Sequence, residues 1–284
     1  MLYRELSPSP ALRERVESIW ILDQPAPGAQ LAAGAEPVEK IVPDGRGELI
    51  FNLGAPYRRL ASDPDTLQPS SFAMGPIRSY LEVVPTGRVS ILGIRLRPHV
   101  MHRLLRAPMG ELTDTSVPLD AFGTERWSQL EEELHAATDW ATRVERAQAA
   151  LQTCLADSLD LTALTDAAIE CILRTGGVLD IGALADELGT SRRTLDRHFA
   201  REVGISPKLL SRQIRFRRVF DLISRSSPGP RNLAEVALAA GCYDQAHLNR
   251  EFRAFAGQSP SAYFAAKHEL SDHLTGIHAG GLDS

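Results

Sequence analysis

One pattern occurs twice in the C-terminal part of this 284-residue chain, and the repetition restricts the fold more than any other feature. The first copy reads Ala185-Asp186-Glu187-Leu188-Gly189, then Leu195-x-x-x-Phe199, then Gly204-x-Ser206-Pro207. The second reads Ala237-Leu238-Ala239-Ala240-Gly241, then Leu248-x-x-x-Phe252, then Gly257-x-Ser259-Pro260. The offset is 52 residues at the Ala and Gly and 53 at the later positions, as a duplicated unit with one extra residue in its turn requires. The alanine lets a second helix cross the first closely. The glycine four residues on ends that first helix, where only Gly takes the left-handed conformation cheaply. A polar cap, Ser191 in one copy and Asp244 in the other, starts the next helix. Leu and Phe at i,i+4 supply its buried stripe. Each copy is predicted to be a helix-turn-helix, at about 181–203 and about 232–256.

The faces left outside those stripes carry Arg192, Arg193, Asp196 and Arg197 in one copy and Asp244, Gln245, Asn249 and Arg250 in the other. Arg, Gln and Asn bond bidentately to guanine or adenine edges in a major groove. A duplicated helix-turn-helix suits two neighbouring major grooves of one double-stranded DNA site. Ser206-Pro207 is a further start signal, because serine caps and proline fits the first helical turn. The helix behind it should run through Ile214 and Phe220 to about Ser224, about 27 Å at about 1.5 Å per residue. Asn232 with Glu235 three residues on is a variant capping box opening the second unit.

These residues resemble the AraC/XylS family of bacterial transcription regulators. The resemblance is carried by Leu184-Ala185, Gly189, Leu195, Phe199, Gly204-x-Ser206-Pro207, Arg215, Ile223, Val236-Ala237, Gly241, Leu248, Phe252, Gly257 and Ser259-Pro260, within residues 175–268. It implies two helix-turn-helix subdomains joined by a long helix, with each recognition helix in a major groove. It places base readout on Arg193, Asp196, Arg197, Asp244, Gln245 and Arg250, joined by Asn249 on the same face. Ser191, Arg192, Arg215 and Arg218 are expected on the DNA backbone. Asp196 and Asp244 cap, tune specificity or read cytosine; these alternatives stay open. Cys242 departs from the family, which has an aromatic after the glycine, and a small thiol there loosens the packing slightly.

Charge is unevenly placed. Residues 1–175 hold 17 Lys+Arg against 24 Asp+Glu, whereas residues 176–270 hold 14 against 10, within a total of −5. The positive charge is nearly all arginine, suited to forked phosphate and base contacts. Arg212, Arg215, Arg217 and Arg218 cluster on the linking helix, on a face that is either ion-paired or turned to DNA. The cysteines Cys154, Cys171 and Cys242 have no C-x-x-C spacing, which argues for a reducing compartment and against a zinc site. No apolar signal core or membrane-length run occurs, so a cytoplasmic protein is expected. His99 and His102 lack an acid or Cys partner, and His268, His273 and His278 stand in a tail (269–284) expected to fray. No Walker A, G-x-S-x-G or dinucleotide motif appears, so neither cofactor nor catalysis is expected.

The first half reads as β-rich and barrel-like. Residues 15–22 and 38–53 look like strands around a Pro/Gly/Ala-rich loop at 25–37, with a turn at Pro43-Asp44-Gly45. A loop-like stretch at 61–71 precedes Phe72. Segments 78–84 and 88–97 are predicted to form a hairpin around Pro85-Thr86-Gly87, with Ile91, Gly93, Arg95 and Arg97 alternating. A short helix follows from Pro98 to Leu105. From about Thr124 the chain turns helical, and 139–157 shows the stripe Trp140, Val144, Ala147, Leu151 and Leu155. That helix is either a dimer seam or packed on its own domain. Pro43-Asp44-Gly45 through Gly54, Gly93-Ile94-Arg95-Leu96-Arg97-Pro98 and Glu111-Leu112-Thr113-Asp114 resemble a subgroup of the same family. The resemblance implies a pocket for a small effector, a homodimer contact, or both. Trp20, Phe51, Phe72 and Met74 are its candidate lining, against the plainer alternative that they are core.

The expected architecture is α+β: a sensor or dimerisation domain at 1–160, a DNA-binding domain at 161–268 with its linking helix at about 206–224, and the tail. The function it implies is a one-component transcription regulator whose N-terminal domain changes the presentation of the DNA-reading units and so the recruitment of RNA polymerase. Two alternatives are a helical interaction or effector-binding module that has lost DNA binding, favoured by exposed acids on both recognition faces, and an enzyme built on the N-terminal domain. Clustered ionisable groups would favour the enzyme, and none is evident in the sequence.

Overall fold

The computed structural model describes residues 2–26, 37–60, 66–123, 125–156, 163–224 and 232–265. The tail histidines, the 160/161 boundary, and residues 27–36 and 61–65 of the two expected loops lie outside them. The described first half contains β1 (Leu2–Leu6), β2 (Val16–Gln24), β3 (Glu39–Ile41), β4 (Gly47–Asn52), β5 (Tyr57–Arg59), β6 (Ser71–Met74), β7 (Leu81–Pro85), β8 (Val89–Leu96) and β9 (Ser116–Pro118). They form a six-stranded sheet, β1-β2-β8-β4-β6-β9, and a three-stranded sheet, β3-β7-β5. The two sheets do not close into a barrel; the larger keeps β1 and β9 as edges.

The expected 78–84/88–97 hairpin does not form. β7 pairs with β3 and β5, while β8 pairs antiparallel with β2 and β4, so the chain changes sheets between them. All eight residues of β8 are buried. A strand so enclosed needs ladder partners on both edges for its peptide groups. Pro85 at the end of β7 has no N–H to offer.

Period-two alternation sorts the side chains of the large sheet. Ile19, Ile21, Leu49, Phe51, Leu92, Ile94 and Leu96 face one way, into a core with Met101, Trp127, Leu130 and Leu151. These come from α1 (Val100–Leu105), α3 (Glu125–Ala136) and α4 (Trp140–Ala156), with α2 (Met109–Leu112) supplying Met109 and Leu112. The stripe Val144, Ala147, Leu151 and Leu155 is used up in this core, so α4 packs on its own domain. Trp20, Leu22, Ile50, Phe72 and Ile91 face the other way, towards the small sheet.

The second half is helical: α5 (Ala163–Arg174), α6 (Ile181–Glu187), α7 (Arg192–Glu202), α8 (Pro207–Ser224), α9 (Leu233–Ala239), α10 (Gln245–Ala256) and α11 (Pro260–Ala265). α6–α7 and α9–α10 are the two helix-turn-helix units, and α8 joins them over the 18 residues expected. Gly189 and Gly241 take φ of 65° and 82° at the turns. The first unit has a mostly aliphatic core of Ile169, Ile172, Leu184, Leu195 and Leu210 around Phe199. The second is aromatic, with Phe216, Phe220, Phe252, Phe255 and Tyr263.

Both units are docked on the first half. Lys40 Nζ donates to the Ala256 carbonyl at 3.2 Å and Ser79 Oγ to that of Ala254 at 2.9 Å, both at the C-terminal end of α10. Gln213 Nε2, fully buried on α8, donates to the Ile77 carbonyl at 2.8 Å. Val42 enters the aromatic core. Arg103 Nη2 pairs with Asp166 at 2.8 Å, and Thr113 Oγ1 donates to the Gly204 carbonyl at 2.9 Å. Gly204 holds φ at 89°, and a Cβ there would stand 2.7 Å from the Met109 carbonyl oxygen. Gly204→Ala is expected to destabilise the protein by about 1–3 kcal/mol from backbone strain. An unchanged urea midpoint for this variant would contradict the docking.

Candidate nucleic-acid interface and the cavity behind it

The recognition helices begin where the sequence places their caps. Ser191 Oγ accepts from Thr194 N at 3.1 Å, and Asp244 Oδ1 accepts from His247 N at 2.6 Å. Asn232 Oδ1 accepts from Ala234 N at 3.1 Å while its Nδ2 donates to Glu235 Oε1 at 2.7 Å, so this box closes between side chains. Each cap satisfies an N–H that the helix itself leaves open. On α7, Leu195 and Phe199 are completely buried, while Arg192, Arg193 and Arg197 are exposed and Asp196 is partly so. On α10, Leu248 and Phe252 are completely buried, while Gln245 and Arg250 are exposed and Asn249 is partly so. None of Arg193, Arg197 and Arg250 pairs with a carboxylate of the described residues. The carboxylate of Asp244 is engaged by the cap, which leaves Asp196 as the acid on a recognition face.

The four arginines of α8 have separate roles. Arg212 makes a forked pair with Glu251 at 3.1–3.2 Å and lies over the Phe255 ring. Arg215 Nη1 donates to the Gly177 carbonyl, so this guanidinium is turned into the protein. Arg217 reaches the first half, 3.5 Å from Asp44 and 3.8 Å from Glu17. Arg218 is exposed. Two exposed residues beside the expected set were missed from sequence. Lys208 shares a hollow with Arg192 at the start of α8, and Tyr243, 87% exposed, precedes the α10 cap. For Tyr243 the available signal was its place before the cap of α10, and for Lys208 it was its place just after the Ser206-Pro207 start of α8.

Between the two sheets lies a cavity of about 90 Å³. Trp20, Ile50, Phe72, Met74 and Ile91 line it from the large sheet, and Ile41, Tyr57, Leu81 and Val83 from the small one. The candidate lining residues Trp20, Phe72 and Met74 are therefore brought together. Phe51 is not; it points to the opposite face, into the helix-covered core. One end of the cavity is ionic, lined by Asp44, Arg46, Glu48 and Arg95. Glu48 and Arg95 are cross-strand partners, and Arg95 Nε donates to Glu48 Oε1 at 2.8 Å. Trp20 Nε1 donates to the same oxygen at 3.3 Å. Arg46 pairs with Glu17, and Arg95 Nη1 lies 3.3 Å from Glu5. Burial pushes the Glu48 carboxyl above its ordinary range despite Arg95, and the charge of Asp44 pushes the same way. Burial acts likewise on Asp44, but Arg46, Arg95 and Arg217 outweigh it and hold that carboxyl low. The sequence offered no such ionisable cluster; the fold assembles one.

His102 Nδ1 is engaged locally, 2.7 Å from the Ala107 carbonyl. The buried His99 Nδ1 has no hydrogen-bond partner among the described residues and lies 3.7 Å from Asp166 of α5, an acid neighbour that the sequence did not indicate. Among the described residues, no helix is long and apolar enough to cross a membrane.

Two family models match the chain: a domain of unknown function (DUF6597) over residues 4–118 and a helix-turn-helix domain over residues 184–266. No curated protein sequence matches. Among solved structures the chain is similar to ToxT from Vibrio cholerae. An apo variant from strain SCE256 is 11% identical with a TM-score of 0.46, over 87% of this chain and 97% of that one. Wild-type ToxT of that strain with bound unsaturated fatty acid is 10% identical with a TM-score of 0.44, over 86% and 92%. ToxT from O395, bound to (E)-4-(8-methylnaphthalen-1-yl)but-3-enoic acid, is 10% identical with a TM-score of 0.46, over 93% and 99%. The C-terminal region is thus a helix-turn-helix domain.

Proposed function

We propose that the chain is a one-component transcription regulator that reads one DNA site with α7 and α10 and answers to a small effector held in the inter-sheet cavity. What carries this is the pair of side-chain-capped helices, each burying Leu and Phe and presenting Arg with polar neighbours, inside a matched helix-turn-helix domain. Arg193, Asp196 and Arg197 would read bases in one major groove, and Gln245, Asn249 and Arg250 in the next. Asp244 and Ser191 set the two helix starts. Arg192, Arg218, Lys208 and Tyr243 would hold the backbone, and Arg215, committed to Gly177, would act by fixing the turn before α6. We assign residues 1–160 to sensing and 161–268 to DNA. RNA polymerase is the downstream partner on this scheme, the homodimer a further association, and the cytoplasm its compartment.

The interaction-module alternative loses one of its two acids to the α10 cap. At the cavity, Asp44 and Glu48 are tied to guanidiniums, an arrangement that suits holding a ligand better than exchanging protons with one. Asp44 also connects the cavity to Arg217 of α8, so an occupant that disturbs Asp44 reaches the helix joining the two DNA-reading units.

The test is selection of genomic fragments by the purified protein and footprinting of the winners at two salt concentrations. Protection over two successive major grooves on one face is expected, with affinity falling steeply as salt rises. A single protected groove, or no selected sequence, would overturn the two-helix assignment. Arg218→Ala is expected to lower affinity for selected and random DNA alike and to reduce the log–log salt slope by about 1. A loss confined to the selected site would move Arg218 from phosphate to base.

A further inference from the structure

Resting on the cavity as the effector site, the geometry points to its ligand class: a small organic cation, an ammonium group on an apolar body. Three observations converge. The walls carry three aromatic rings, Trp20, Tyr57 and Phe72, and aromatic faces attract a cation through their quadrupoles. The lining itself sets Asp44 and Glu48 against Arg46 and Arg95. The ion network behind it, which adds Arg217 and the partly exposed Glu5 and Glu17, is short of positive charge. Arg46, Arg95 and Arg217 stand against Glu5, Glu17, Asp44 and Glu48, three guanidiniums to four carboxylates. An entering anion would add to that excess, whereas a cation cancels it. Finally, Glu48 has an oxygen to offer. Its Oε1 takes both Arg95 and Trp20, and its Oε2 accepts from no donor among the described residues.

The same cluster says what occupancy does. Asp44 Oδ2 is shared among Arg46, Arg95 and Arg217 at 3.7, 3.6 and 3.5 Å, distances too long for strong individual bonds. A cation beside Glu48 and Asp44 competes for that oxygen with Arg217. The contact between the cavity and α8 is thereby weakened when the ligand enters. The size of the ligand follows from the cavity: about 90 Å³ corresponds to about six to nine non-hydrogen atoms when each water-sized group takes about 10–15 Å³.

Calorimetric titration of the full chain with benzylamine, benzyl alcohol and benzoate separates charge from shape, since the three are close in size. Benzylamine is expected to bind about tenfold more tightly than the alcohol, with benzoate the weakest. Glu48→Gln is expected to remove the preference for the amine, bringing it down to the level of the alcohol. Because the comparison on the unaltered chain stands alone, it decides the class even where the variant does not fold. Tighter binding of benzoate or of the alcohol would overturn the cation while keeping the cavity as a binding site. Heat from none of the three would overturn the cavity reading as well. DNA footprinting, which uses other residues, would be untouched by either failure.

Discussion

A chain carrying both Arg197→Ala and Arg250→Ala is expected to lose the selected DNA site while keeping its fold. Both arginines are exposed, one on each recognition helix. Removing them takes away no core contact and no ion pair with a described carboxylate. A guanidinium that bonds bidentately to guanine is worth about 1–3 kcal/mol of discrimination. The two residues stand on separate helices with separate cores, so their losses should add. Each single variant should weaken the selected site about fivefold to 150-fold, and the pair by the product of the two. Binding to random DNA should fall much less, because phosphate contacts supply most of it. Footprint titration on selected and scrambled sites measures both quantities. Protection by the double variant at the wild-type concentration would remove α7 and α10 from base readout.

The extent of what residues alone disclose differs sharply between the two halves. In the second half the informative spacings are local. A cap such as Ser191 acts on an N–H three residues away, and Leu195 meets Phe199 one turn on. Helix limits, turns and exposed faces could therefore be read directly, and α8 ends where expected. In the first half, alternation correctly grouped Ile91, Gly93 and Arg95, and they share a face on which the Trp20 ring lies across Gly93. Alternation says which residues go together but not which side receives them. For that reason Phe51 was a candidate for the cavity, while its neighbours Glu48 and Ile50 line it.

Pairing between distant segments was the part least visible. The Glu48–Arg95 pair spans 47 residues and the Asp44–Arg217 contact spans 173. No periodicity connects such positions. Pro43-Asp44-Gly45 was legible as a turn. Its position between the cavity and α8 depends on two domains meeting, as does the entry of Val42 into the aromatic core of the second helix-turn-helix unit. The arginines of α8 show the same limit. They were recognisable as a cluster, yet one pairs with Glu251, one holds Gly177, one crosses to Asp44 and one is exposed.

The aromatic core makes Phe252→Ala the most damaging single change expected in the DNA-binding half. Phe252 is completely buried, with ring centroids 4.8 Å from Phe216, 5.8 Å from Phe220, 5.9 Å from Tyr263 and 5.6 Å from Phe264. Truncation removes the transfer energy of the ring and leaves a cavity among rigid neighbours, together worth about 3–5 kcal/mol. The further edge-to-face terms are about 0.5–1.5 kcal/mol per aromatic pair. A domain whose total stability is of order 5–15 kcal/mol would lose a large share of it. The loss should be local in its consequence, because the first unit has its own core around Phe199 and Leu195. The expected result is a marked fall in the urea midpoint and a footprint that keeps the α7 half-site but loses the α10 half-site. Loss of both half-sites together would mean that the two units fold as one cooperative body through α8. A variant with unchanged midpoint and full footprint would show that the rings do not hold the second unit together.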